Sequence, residues 1–172
     1  KVIINANQNF LTKCQYNEYI LDTHLQTGRD AVRGAVELRG NGELIKRTAL
    51  EDVGCWNVNT ITDDLDLSTK LHIKGWDVRF RCDVCVYEEG VLSWKPLLKQ
   101  RRRWIEGSIR RYLENFLDVL LSPNMSLRVS LDMTAYITEF ILPVWMISEL
   151  AFQSFKYIKD DNNWISSSLT LS

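Results

Sequence analysis

A chain of 172 residues, 45% hydrophobic and 25% charged, is long enough for one domain with a real core and has an ordinary globular balance. Its formal net charge of −1 argues against a nucleic-acid binder, for which a basic domain is expected. The chain opens at Lys1 and runs into a polar stretch with neither the charged nor the apolar region of a signal peptide, so a fragment of a longer protein is expected.

Phe10, Leu11, Cys14, Tyr16, Ile20, Leu21 and Leu25 recur at close to helical spacing, which predicts a helix over residues 8–27 that stops at Gly28. Ala35-Val36-Glu37-Leu38 predicts a short strand entering Arg39-Gly40-Asn41-Gly42, where two glycines let backbone approach a ligand. The same glycines also suit a plain tight turn. A short helix follows over residues 46–53. Thr60 or Thr62 then caps a helix whose first turn carries Asp63, Asp64 and Asp66, with Leu67 and Leu71 on one face and an end at Gly75. Residues 76–87 read as two short strands around Cys82 and Asp83. The Cys82-Asp83-Val84-Cys85 spacing has no second pair to complete a zinc site, so the thiols are read as small buried hydrophobes and no zinc is expected.

From Ser93 the pattern is helical again. Ile105, Ile109, Tyr112, Leu113, Phe116, Leu117 and Leu120 repeat at three and four until Ser122-Pro123-Asn124. The start of this helix is basic, with Lys95, Lys99, Arg101, Arg102, Arg103, Arg110 and Arg111 set against Glu106. On a neutral protein such a block suits a phosphate or a lipid headgroup. Residues 129–152 are mostly apolar but hold Asp132, Glu139, Glu149 and Pro143. The charge-free run 140–148 is shorter than the roughly 20 residues a bilayer span requires, yet acids near the ends of a longer window can sit at the interface. A membrane span and a buried helix both stay open on hydropathy. Ser166 to Ser172 reads as a polar, frayed end.

Two clusters carry candidate chemistry. Three acids after a threonine suit a helix N-terminus electrostatically, and one of them can also serve as a general base. Asp64 and Asp66 match Asp-x-Asp formally, but residues two apart on a helix point about 200 degrees from one another and do not converge on a metal. Gln100, Arg103 and Trp104 are three and four apart and share a helical face, where Arg103 can donate two parallel hydrogen bonds to a phosphate. A solvated helix face with a half-buried tryptophan accounts for them equally. Asp66, Arg101 and Arg102 are assigned to the helix end or the surface.

In order and separation, Thr62-Asp63-Asp64, Gly75-Trp76, Glu88-Glu89 and Gln100-Arg101-Arg102-Arg103-Trp104 resemble the membrane-associated family-2 glycosyltransferases, the group of cellulose, chitin, hyaluronan and glycolipid synthases. Through Arg39 to Arg47 and Ile61 to Leu71 the chain looks most like the cyanobacterial members that attach one glucose to diacylglycerol. The resemblance implies an α/β fold, the acceptor-side half of a GT-A domain over residues 1–122, followed by a membrane or interface helical segment over 123–160 and a polar tail over 161–172. It implies an inverting transfer of a hexose, with glucose from UDP-glucose as donor substrate and a lipid or saccharide acceptor such as diacylglycerol. Asp64 would be the general base. Asp63, Gln100, Arg103, Trp104 and the Gly40, Asn41 and Gly42 loop would bind substrate, with Asp63 standing where the family usually has glutamate. A divalent cation, Mg or Mn, is implied for the full-length parent, with ligands outside this chain, so the fragment alone is expected to be inactive. The implied location is the membrane, with the catalytic part on the cytoplasmic side. A processive polysaccharide synthase shares every one of these motifs, and a non-catalytic module binding anionic lipid through residues 95–111 is the rival from another class.

Overall fold

The computed structural model describes residues 1–169, with side chains through Lys159. Contacts divide the chain into two compact units, Lys1–Thr134 and Ala135–Ser172.

The first unit is built mainly from helices around a minimal parallel sheet. Strand β1 (Val2–Ile3) pairs with β2 (Tyr87–Glu88) in the register Val2 to Tyr87 and Ile3 to Glu88. The ladder is extended at both ends, where Val2 N donates to Val86 O at 2.8 Å and Ile4 N to Glu88 O at 3.0 Å. Between the strands lie α1 (Phe10–Ala31), α2 (Arg47–Asp52) and α3 (Asp63–Ile73), and after them α4 (Trp94–Leu121) and α5 (Leu127–Tyr136).

Helix α1 starts on a reciprocal cap. Thr12 N donates to Asn9 Oδ1 and Asn9 N to Thr12 Oγ1, each at 3.0 Å, so two of the orphan amides of the first turn are satisfied. The helix does not stop at Gly28 as its sequence predicts, because the turn beyond the glycine is held by tertiary partners. Arg29 pairs with Glu37 and Asp132, and Asp30 receives Arg79 at 2.6 and 2.9 Å.

Residues 35–38 are extended and buried but form no strand. Side chains serve several of their polar groups, while Val36 N donates to Gly34 O at 3.1 Å. Ala35 N donates to Asp132 Oδ2 at 2.8 Å, Glu37 N donates to Gln26 Oε1 at 3.1 Å, and Val36 O accepts from His72 Nε2 at 2.7 Å. The expected pair of strands over residues 76–87 likewise reduces to β2, with a turn at Cys82 and Asp83. All four cysteines are exposed, which overturns their reading as buried hydrophobes: Cys82 and Cys85 sit on an irregular loop that packs little against the core.

Two apolar clusters hold the unit together. Ala49, Leu67 and Leu71 are buried against Leu38, Ile45, Leu50, Val53, Trp76 and Val78, joining α2 to α3. Ala35, Val119 and Met133 are buried against Ile73, Met125 and Val129, joining α4 to α5. A leucine buried as fully as Leu67 contributes about 2 kcal/mol relative to exposure.

In the second unit, α6 (Thr138–Leu169) carries Pro143 and exposes apolar side chains including Ile141, Leu142, Val144, Trp145 and Ile147. The stretch Leu127–Lys159 is long and apolar enough to cross a membrane. The end expected to fray from Ser166 is helical through Leu169, and its last three residues lie outside those described.

Candidate active site

Asp64 sits in the first turn of α3 and is half-buried, while Asp63 beside it is exposed. Burial pushes the Asp64 carboxyl above its ordinary value; the negative charge of Asp63 adds to this, and the Leu65 amide and Lys1 oppose it. A carboxylate whose affinity for a proton is raised in this way is a better proton acceptor than an exposed one.

Thr62 is the N-cap residue of α3, but its side chain makes no capping hydrogen bond. Its hydroxyl lies against Gly107 of α4, where an added Cβ would stand 2.6 Å from Thr62 Oγ1 and 3.0 Å from Thr62 Cβ. Gly107 therefore sets how closely α4 approaches the start of α3. One turn further along, Arg111 Nη1 reaches Leu65 O at 3.4 Å. Gln100, Arg103, Trp104, Gly107 and Arg111 follow at intervals of three and four and lie on one helical face. Since Gly107 meets Thr62 and Arg111 meets Leu65, the face extends toward its N-terminal end past the first turn of α3, bringing Trp104 and Arg103 one turn beyond Thr62.

Trp104 is half-buried, and the Arg101 guanidinium stacks over its ring at 4.3 Å. Arg101 also pairs with Glu18 of α1 at 2.5 Å, so it is not the surface residue its sequence position suggests. Arg102 and Arg103 are exposed, and Gln100 is half-buried. Asp66 lies in the first turn of α3, the helix-end position expected for it, but it is buried rather than at the surface, 3% exposed and paired with Lys70 at 2.6 Å.

The Arg39 to Gly42 loop closes the other side. Gly40 and Gly42 both have left-handed backbone, with φ of 84° and 69°. A Cβ on Gly40 would stand 3.3 Å from Asp64 Oδ2, and one on Gly42 would collide with Val86. Asn41 donates to Glu88 Oε1, which also pairs with Lys1 at 2.8 Å, while Tyr19 OH donates to Glu88 Oε2 at 2.9 Å. Burial alone would push the Glu88 carboxyl up, but Lys1 and these two donors hold it below its ordinary value. Loop and β2 are thereby joined next to Asp64.

Beneath the site lies a cluster of charges that the sequence does not reveal. Glu37 is fully buried and faces three guanidinium groups, Arg111 at 2.8 Å, Arg29 at 3.3 Å and Arg39 at 3.5 Å. Burial pushes its carboxyl up, and Arg111, Arg39 and Arg29 outweigh that and hold it below the ordinary value. Arg111 belongs to the basic block of α4 but is 1% exposed, so it takes no part in a surface anion site. The sole signal for this pairing is a lone glutamate inside an apolar run.

Among the described residues no three His, Cys, Asp or Glu side chains are grouped as a metal site. The divalent cation that the resemblance implies finds no donor set there.

The chain belongs to glycosyl transferase family group 2, whose model matches residues 1–155 and so takes in α3 and α4. Beta-monoglucosyldiacylglycerol synthase of Trichormus variabilis is 44% identical over 151 residues, which make up 87% of this chain and 32% of that protein. The protein of the same name from Synechocystis sp. is 40% identical over 151 residues, 87% of this chain and 31% of that protein. Poly-beta-1,6-N-acetyl-D-glucosamine synthase of Staphylococcus epidermidis is 29% identical over 164 residues, 90% of this chain and 37% of that protein. The chain thus spans about a third of the length of the curated relatives it matches. No solved structure matches it.

Proposed function

We propose that the chain is the acceptor-side part of a GT-A glycosyltransferase that moves glucose from UDP-glucose to diacylglycerol with inversion. The observation that carries this reading is the placement of Asp64. Its raised carboxyl faces the Gly40 turn, two residues after Thr62, against which Gly107 of α4, the helix bearing Gln100, Arg103 and Trp104, is packed.

Asp64 takes the proton of the acceptor hydroxyl as that oxygen forms a bond to the anomeric carbon, and the bond to the leaving diphosphate breaks with its electron pair going to the diphosphate. Gln100 and Arg103 hold the diphosphate or the acceptor through charge-assisted hydrogen bonds. Trp104, fixed by Arg101, is the floor beneath the acceptor. Asp63, shorter than the usual glutamate, adds negative charge next to the base. Asn41 and Gly42 shape the acceptor loop with Gly40. The parent's Mg or Mn ion would be held by residues outside this chain. The domain reading is 1–122 for the catalytic part, 123–160 for the membrane or interface segment and 161–172 for the tail, with the catalytic part on the cytoplasmic side. The apolar stretch Leu127–Lys159 supports the membrane assignment.

The names of the two cyanobacterial relatives favour a glycolipid product. The Staphylococcus relative favours the second reading, a processive polysaccharide synthase. Product analysis of the full-length parent separates them: glycolipid extractable into organic solvent supports the first, insoluble polymer the second. The same assay tests the base. Asp64→Asn is expected to abolish transfer, by about a hundredfold or more, while membrane association is unchanged; retained turnover removes Asp64 from the role.

A further inference from the structure

A second carboxylate stands behind the Gly40 loop. Glu43 Oε1 accepts from Gly40 N at 2.8 Å, stapling the loop across three residues. The loop takes its left-handed turn at that same glycine, and the position of the missing Cβ is 3.3 Å from Asp64 Oδ2. That distance is close to the roughly 2.6–3.2 Å at which a hydroxyl oxygen donates to a carboxylate base. The space left by the absent side chain is thus where a hydroxyl can reach Asp64. Its size depends on where the Gly40 backbone lies, and the Gly40 amide has Glu43 as its hydrogen-bond acceptor.

We propose that Glu43 is a positioning residue for the acceptor hydroxyl, holding the Gly40 backbone so that the opening over Asp64 Oδ2 is kept. This rests on the assignment of Asp64 as base. The two carboxyls feel each other: burial pushes Glu43 up, the Gly40 amide opposes this, and the charge of Asp64 pushes it up further. The other charged groups facing the pair are Lys1 from the β1 side and Asp63 on α3. Asn41 and Glu88 tie the middle of the loop to β2, so Glu43 and Glu88 secure it at two separate points.

The test is steady-state kinetics of the full-length parent with UDP-glucose and diacylglycerol in mixed micelles. Glu43→Gln keeps an oxygen for the Gly40 amide, and its acceptor KM is expected to stay within about twofold of wild type. Glu43→Ala and the shorter Glu43→Asp lose the staple, and their acceptor KM is expected to rise by about fivefold while the UDP-glucose KM is unchanged. An acceptor KM in the alanine and aspartate variants equal to wild type overturns the proposal. So does a rise shared by both substrates, or one shared equally by the glutamine variant. Asp64→Asn measured alongside separates the two assignments: surviving turnover there overturns both, whereas an inactive Asp64→Asn beside a silent Glu43→Ala overturns the role of Glu43 alone.

Discussion

Arg111 Nη1 donates to Glu37 Oε1 at 2.8 Å, and the two side chains, 74 residues apart in sequence, are 1% and 2% exposed. The contact joins α4 to the extended segment before the Gly40 loop, and the same guanidinium reaches the carbonyl of Leu65, next to the candidate base. Truncating one partner of a buried ion pair leaves the other charge poorly compensated. Arg111→Met is therefore expected to destabilise the first unit by about 3 kcal/mol, read as a shift in urea unfolding followed by tryptophan fluorescence. A Glu37→Leu, Arg111→Met double variant should lose less than the sum of the single changes, because the two residues share one interaction.

Asp63 acts on the base through charge. Burial and the Asp63 carboxylate both raise the Asp64 carboxyl. Transfer requires Asp64 ionised, so the rate falls as pH falls through its pKa. Replacing Asp63 by asparagine removes a like charge and makes ionisation easier, which moves the acid limb of kcat/KM to lower pH. An unmoved limb would show that the charge of Asp63 is screened.

Gly107 tests the docking of α4 on α3. Alanine at this position gains about 1 kcal/mol in helix propensity but places a methyl on Thr62, an overpacking worth about 1–3 kcal/mol. Gly107→Ala should lower the melting temperature and reduce transfer together. In a Thr62→Ala background, which removes Cγ2 and Oγ1 and leaves only the 3.0 Å approach to Cβ, the same change should cost less.

His72 gives the fold a pH dependence. Burial holds the imidazole below its ordinary value of about 6.5, outweighing the Val36 carbonyl and the charges of Glu37, Asp77 and Asp132, and its Nε2 is 2.7 Å from Val36 O. The unfolded chain binds a proton near pH 6.5 while the folded chain does not, so the contribution is complete above that pH and is lost as pH falls below it. His72→Gln should flatten the acid side of the stability profile below about pH 6.5.

What could be read from the sequence was local. The start of α4 at Ser93, its stop at Ser122 and the opening of α3 after Thr62 follow from breakers and spacing within a turn or two, although neither Ser93 nor Thr62 makes a side-chain capping hydrogen bond. The shared face of Gln100, Arg103 and Trp104 also follows from spacing alone. Partners remote in sequence could not be read this way. Nothing near Glu37 announces Arg111, and nothing near Gly28 announces that Arg29 and Asp30 are anchored by Glu37 and Arg79. Val36 has the residue type of a strand, but a strand also needs a neighbour, and here the neighbours are side chains. Arg101 was set aside on helical phase, and it is Glu18, 83 residues away, that draws it in.

The extended segment from Gly34 to Glu37 is served by Gln26 of α1, His72 of α3 and Asp132 of α5. Three helices thus converge on one short segment, and the loop beside Asp64 continues directly from it, so the placement of that loop is tied to the packing of all three.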